Sequence, residues 1–158
     1  MKRNNIYKDG ERAVLFDIGE KMTTFKINHV AIVVEDVDVA LTFWRDAFGL
    51  PLAHVEHNDE EAVQIAFLPV GESEVELLAP LTPESGVAKY LAKKGAGLHH
   101  LCIEVSDIDA TLAQLKNHQV ELINDTPKLR PNGTKYAFVH PKSTGGVLLE
   151  LYELANQS

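Results

Sequence analysis

The stretch HVAIVVEDVDVAL at residues 29–41 decides the fold, because it returns as HLCIEVSDIDATL at residues 100–112. A shift of 71 positions aligns the two stretches with six identical residues, beginning with His29 on His100. Self-similarity at a fixed spacing indicates that one structural unit is repeated along the chain. We therefore predict a tandem duplication.

The first repeat predicts a βαβββ unit. Alternating β-branched residues at 26–34 indicate a strand, and Asp36 is placed to cap a helix that ends at Gly49. Three further strands are expected at 52–57, 62–69 and 74–80. Thr82 and Pro83 then suggest the start of a short helix that connects the repeats.

The second repeat predicts the same order of elements. A strand at 98–105 and a helix from Asp107 to about His118 are followed by strands near 120–124, 135–140 and 146–153. The expected organisation is an N-terminal extension (1–25), a first module (26–81), a connecting helix (82–97) and a second module (98–154). Residues 26–154 are predicted to form one functional domain of the α+β class, and the extension is expected to be dispensable.

Composition and charge narrow the function classes. The 158 residues carry 15 Lys and Arg against 23 Asp and Glu, a formal charge of −8, so no nucleic-acid partner is expected. The single cysteine, Cys102, excludes an internal disulfide and a thiolate metal cluster, and it fits a reducing cytoplasm. No apolar run reaches the length of a membrane span and no signal-peptide pattern is found, so we expect a cytoplasmic protein with no membrane partner.

Four polar residues occupy apolar strands where valine or leucine would be ordinary. They are His29, Glu76, His100 and Glu150, one histidine and one glutamate from corresponding places in each repeat. Each residue alone is most often structural or solvent-facing, but the recurrence of the pair in both repeats favours a shared site. Two imidazoles and two carboxylates suit a divalent first-row metal, whose charge would offset the cost of burying two anions. We predict one divalent ion, cobalt, zinc, manganese or nickel, bound by these four residues.

The repeat also distinguishes between the histidines. His99 aligns with Asn28 and His100 with His29, and successive strand residues face opposite sides, so His100 is the predicted ligand. The other histidines have no counterpart of this kind and are predicted to be solvated or structural: His54, His57, His118 and His140.

Three segments carry a resemblance to a known family. They are VELLAPL at 75–81, GLHHLCIEV at 97–105 and HPKSTGGVLLEL at 140–151. With the duplicated βαβββ units, they resemble the methylmalonyl-CoA epimerase family of the vicinal oxygen chelate superfamily, from about Ile27 to Leu154. The resemblance implies a glyoxalase-like curved sheet around a metal site, an acyl-CoA substrate and a homodimer.

The resemblance also implies the activity, which is removal and return of the C2 proton of methylmalonyl-CoA through a metal-stabilised enolate. Some members have a glutamate as base on the third strand of the first module, where this chain has Gln64. An amide cannot accept the proton, so the base is expected to be a metal-bound carboxylate, Glu76 or Glu150, or else a residue that the sequence does not identify. Gln64 shares a face of its strand with Ala66 by alternation and is expected to point into the site and hydrogen-bond the substrate. Lys135 and Lys142 are candidate positive charges for the CoA ester.

Other functions remain open from the sequence. A glyoxalase I-type lactoylglutathione lyase would have the same four ligands, although the acyl-CoA-linked segments favour the epimerase. A non-catalytic small-molecule binding protein of the same fold would need no metal, so the retained ligand set argues against it. A ring-cleaving dioxygenase uses two histidines and one carboxylate, and the second glutamate, Glu76, argues against that class.

Overall fold

The structure is a computed structural model that describes residues 4–8, 11–17 and 22–155, with side chains from residue 24 onward. The chain divides into two compact units. One consists of Met1–Asn28 with Leu101–Ser158, and the other of His29–His100.

Two strands precede the repeats. They are β1 (Asn4–Lys8) and β2 (Glu11–Asp17), which pair antiparallel with each other. β2 also pairs antiparallel with β3 (Met22–Val33), the first strand of the first repeat. The sequence predicted only an extension here, part of which lies outside the described residues. The dipeptide DG at 9–10, a two-residue hairpin signal, could have indicated the pairing of β1 with β2.

A chain that begins at Met22 is expected to fold and to turn over substrate as the full-length chain does. The described apolar clusters start at Phe25, so the truncation leaves them intact, and the described contact with β3 that it removes is the backbone pairing of β2 with the first residues of that strand. Turnover and thermal unfolding of the truncated and full-length chains test this expectation. A marked loss of activity in the truncated chain would mean that the N-terminal strands support the site.

The first module forms a mixed sheet with one helix after its first strand. After β3 come α1 (Val37–Leu41), a π-helical turn (Thr42–Ala47), β4 (His54–Asn58), β5 (Val63–Val70), β6 (Ser73–Pro80) and α2 (Gly86–Lys94). The strand order is β4-β5-β6-β3, with β3 and β6 parallel and the other pairs antiparallel. Asp36 caps α1 as predicted, since its carboxylate accepts the N–H of Val39 at 2.9 Å.

The second module repeats this arrangement. Its elements are β7 (Gly97–Val105), α3 (Ile108–Asn117), β8 (Lys128–Leu129), β9 (Lys135–Val139) and β10 (Leu148–Glu153). The strand order β8-β9-β10-β7 matches that of the first module, and Asp107 caps α3 by accepting the N–H of Ala110 at 2.9 Å. The predicted α+β fold of two tandem βαβββ modules is confirmed.

The two cores use equivalent residues. In the first module α1 packs on β5 and β6 through Val37, Leu41, Ala66, Leu68 and Leu77. In the second module the residues 71 or 74 positions later do the same: Ile108, Leu112, Ala137, Val139 and Leu151. Full burial of a side chain such as Leu41 or Leu112 contributes about 1.5–3 kcal/mol. Each module therefore has an apolar core that needs none of the four predicted metal ligands.

Two predicted elements differ in the structure. The segment 120–124 is not a strand, because it makes only one bridge, between Leu122 and Val139, and the edge strand is β8 instead. The side chain of Asn124 accepts the N–H of Phe138 at 2.9 Å, so a side chain takes the place of a ladder hydrogen bond. The connecting helix α2 is capped by Ser85, whose hydroxyl accepts the N–H of Ala88, and not by Thr82.

Among the helices that the structure describes, none combines the length and the apolar character needed to cross a bilayer.

Candidate metal centre

Two buried histidines meet within the unit His29–His100. His29 on β3 is 2% exposed and His100 on β7 is 7% exposed. Their Nε2 atoms lie 3.0 Å apart, and their rings meet edge to face. Because a metal–imidazole bond measures about 2.0–2.1 Å, two nitrogens at this separation can bind the same ion. The donors present therefore fit a divalent metal, and the structure brings the two predicted histidine ligands together.

Glu76 on β6 lies beside His29 but meets its other nitrogen. The Oε1 atom is 3.5 Å from Nδ1 of His29, whereas Nε2 of that ring faces His100. The strand register explains the proximity, because Glu76 is paired with Ala31, two residues beyond His29 on the same face. A carboxylate in this position orients a metal-binding imidazole. Direct ligation by Glu76 stays a prediction.

Glu150 lies on β10 in the other unit. It is 2% exposed and is the only acidic side chain that is fully buried in the part of the chain that the structure describes. The guanidinium of Arg130 lies 3.6 Å from its Oε1 atom and is held over the ring of Tyr136, 4.6 Å from the ring centroid. This cation reduces the cost of burying the carboxylate. Sequence reasoning attributed charge balance to a metal alone and missed Arg130, because no periodic pattern marks a residue in an irregular loop.

Gln64 lies on the sheet face opposite the histidine pair. In the β5–β6 ladder Gln64 is paired with Ala79, and it shares its face with Ala66. Both alanines belong to the core beneath α1, whereas His29 and Glu76 occupy the other face. The register therefore turns Gln64 away from the pair, contrary to the expectation that it points into the site. A catalytic role for Gln64 stays a prediction that this orientation does not favour.

The two lysines considered for the CoA ester form surface ion pairs. Lys135 donates to Asp109 at 2.9 Å and lies 3.4 Å from Glu153. The hydrogen bond to Asp109 raises the pKa of Lys135. Lys142 lies 3.4 Å from Glu121. Both ammonium groups thus already have acidic neighbours, and their contact with CoA stays a prediction.

The histidines predicted to be structural or solvated have such positions. His54, His57 and His118 are exposed, and the ring of His54 stacks on Phe67. His140 caps a 3₁₀ turn by accepting the N–H of Lys142 at 3.1 Å.

Comparison with known proteins defines the class. The family model of the Glyoxalase/Bleomycin resistance protein/Dioxygenase superfamily matches residues 28–138, which include α1, α3 and both histidines of the pair. This is the class of protein that the duplicated βαβββ fold and the histidine pair indicate.

Individual relatives narrow the class to one family. Mouse mitochondrial methylmalonyl-CoA epimerase is 39% identical over 127 residues, which cover 80% of this chain and 71% of the mouse protein. A variant of Streptomyces coelicolor methylmalonyl-CoA epimerase, solved with 2-nitronate-propionyl-CoA, is 35% identical with a TM-score of 0.74, over 83% of this chain and 95% of that one. A methylmalonyl-CoA epimerase solved with methylmalonyl-CoA and NH4+ matches with the same identity, TM-score and coverage. The chain belongs to the methylmalonyl-CoA epimerase family.

Proposed function

We propose that this protein interconverts the two C2 epimers of methylmalonyl-CoA and uses one divalent metal ion held by His29, Glu76, His100 and Glu150. The observation that supports the proposal best is the buried pair of imidazoles with their Nε2 atoms 3.0 Å apart. The membership of the epimerase family and the acyl-CoA ligands of the solved relatives support the substrate.

Each side chain has a defined task in this proposal. When bound, the metal supplies Lewis-acid stabilisation of the negative charge that develops on the thioester oxygen. His29 and His100 would hold that ion through their Nε2 atoms, which lie 3.0 Å apart. Burial of both rings keeps water away, which strengthens electrostatic interactions with the substrate.

Proton transfer at C2 needs a group that takes the proton and a group that returns it. Glu76 and Glu150 are the proposed candidates, because carboxylates accept and donate protons, whereas the amide of Gln64 does neither at neutral pH. Arg130, 3.6 Å from Glu150, keeps a positive charge beside that carboxylate.

Heavy water provides the direct test. Metal-loaded protein supplied with one C2 epimer of methylmalonyl-CoA in D₂O is expected to produce the other epimer with deuterium at C2. The protein stripped of metal and a sample without protein are the controls. Failure of the metal-loaded protein to form the second epimer would contradict the proposal.

The same assay with a second substrate separates the rival function. Conversion of the hemithioacetal of methylglyoxal and glutathione, without epimerisation of methylmalonyl-CoA, would identify a lactoylglutathione lyase. Binding of acyl-CoA with no exchange at C2 would identify a non-catalytic binding protein. We further propose a homodimer, on the basis of the family resemblance. We also propose a cytoplasmic location, because the single cysteine, Cys102, cannot form an internal disulfide.

A further inference from the structure

The second nitrogen of His100 contacts a residue that has no assigned role. Nδ1 of His100 lies 2.8 Å from Nδ1 of the preceding residue, His99, while its Nε2 faces His29. A distance of 2.8 Å is that of a hydrogen bond, so one of the two Nδ1 atoms carries a hydrogen and the other accepts it.

The direction of this hydrogen bond follows from the proposed metal site. A histidine that binds a metal through Nε2 must keep the lone pair of that nitrogen, so a neutral His100 carries its hydrogen on Nδ1. Nδ1 of His99 is then the acceptor, and His99 carries its own hydrogen on Nε2. We propose that His99 is a positioning residue, which fixes the tautomer and ring orientation of His100 so that Nε2 is available to the metal. The inference rests on the proposed metal site and adds a residue outside the predicted ligand set.

His99 is itself held in place by the connecting helix. The ring of Tyr90, on α2, meets the ring of His99 edge to face, with centroids 4.7 Å apart. The hydroxyl of Tyr90 donates to the carbonyl of Leu98 at 2.7 Å, which ties α2 to the start of β7. Because His99 is fixed in this way, its Nδ1 holds the ring of His100 in one orientation. Less conformational entropy is then lost when the metal ion binds.

The first repeat orients its histidine differently. The residue before His29 is Asn28, whose amide donates to Glu104 at 3.1 Å. Nδ1 of His29 instead faces the carboxylate of Glu76 at 3.5 Å. The two histidines of the pair therefore have different partners on Nδ1, a carboxylate for His29 and an imidazole for His100. This difference makes the role of His99 specific to the second repeat.

Two substitutions of His99 separate hydrogen bonding from packing. His99→Phe keeps a ring against Tyr90 but removes the acceptor, and it is expected to weaken zinc binding about 10- to 100-fold, the usual effect of losing such an outer partner. His99→Asn places a carbonyl oxygen where Nδ1 was and is expected to restore most of the affinity. His118→Phe, at an exposed position after α3, is the matched control. Zinc affinity is measured by competition with a chromophoric chelator, and thermal unfolding of the metal-free variants reports folding.

Nitrogen-15 NMR of the zinc-loaded protein gives a readout independent of activity. Nδ1 of His100 is expected to carry a hydrogen, and Nδ1 of His99 is expected to carry none. The opposite pattern, or equal zinc affinities of the wild type and His99→Phe, would overturn the role of His99. Failure of the wild type to retain zinc or any other divalent ion would instead contradict the metal site on which the inference rests.

Discussion

The His100→Ala protein is expected to lose its metal ion on dialysis and to show no epimerase activity above background. Two buried Nε2 atoms, of His29 and His100, lie 3.0 Å apart. The substitution removes that of His100, so only His29 of this pair can still bind the ion. Metal content per chain after dialysis and turnover of methylmalonyl-CoA measure the two losses. His118→Ala, at an exposed position, is the control and is expected to keep both properties. Stoichiometric metal in dialysed His100→Ala protein would contradict the assignment.

The same variant is expected to remain folded. The core of the first module consists of apolar residues on α1, β5 and β6, and that of the second module uses the equivalent positions of its repeat. A ligand that binds only the native state adds about 2.7 kcal/mol of stability when its concentration is 100 times its Kd. Added metal should therefore raise the melting temperature of the wild type and leave that of His100→Ala unchanged.

The repeat explains why so much of the fold could be predicted. Positions separated by 71 residues have equivalent structures, so Asp36 and Asp107 both cap helices and Leu41 and Leu112 both fill cores. The meeting of His29 with His100 follows from the same correspondence, although 71 residues separate them. A pattern that occurs twice gives each assignment an independent check, which a single strand or helix does not provide.

The features that sequence reasoning missed depend on contacts that no periodicity encodes. Arg130 lies in an irregular loop, and only its approach to Glu150 reveals its role. His99 was set aside because neighbouring strand residues face opposite sides, yet Nδ1 is the imidazole nitrogen closer to the backbone and reaches the Nδ1 of His100. The alternation of side chains along a strand correctly placed Gln64 on the same face as Ala66. Which face of the sheet carries the histidines, however, depends on the pairing register between β3, β5 and β6.

Glu150→Gln is expected to slow proton exchange from one epimer by about 100- to 10,000-fold, the range typical for loss of a general base. Glutamine has nearly the shape of glutamate and offers an oxygen to a metal, but it cannot accept a proton at neutral pH. The substitution also leaves the guanidinium of Arg130 beside a neutral amide in place of a buried carboxylate. Deuterium incorporation in D₂O, starting separately from each C2 epimer with metal in excess, measures the exchange on each face of C2.

Two further variants decide whether Glu150 is the base. Gln64→Ala is expected to lose little activity, because Gln64 is on the face of the sheet that packs against α1. Glu121→Gln, an exposed carboxylate paired with Lys142, controls for the loss of one negative charge and is expected to behave as the wild type. A large loss in Gln64→Ala together with an active Glu150→Gln would reverse the roles of the two residues. A symmetrical loss from both epimers in Glu150→Gln, with metal bound, would mean that one group serves both faces of C2.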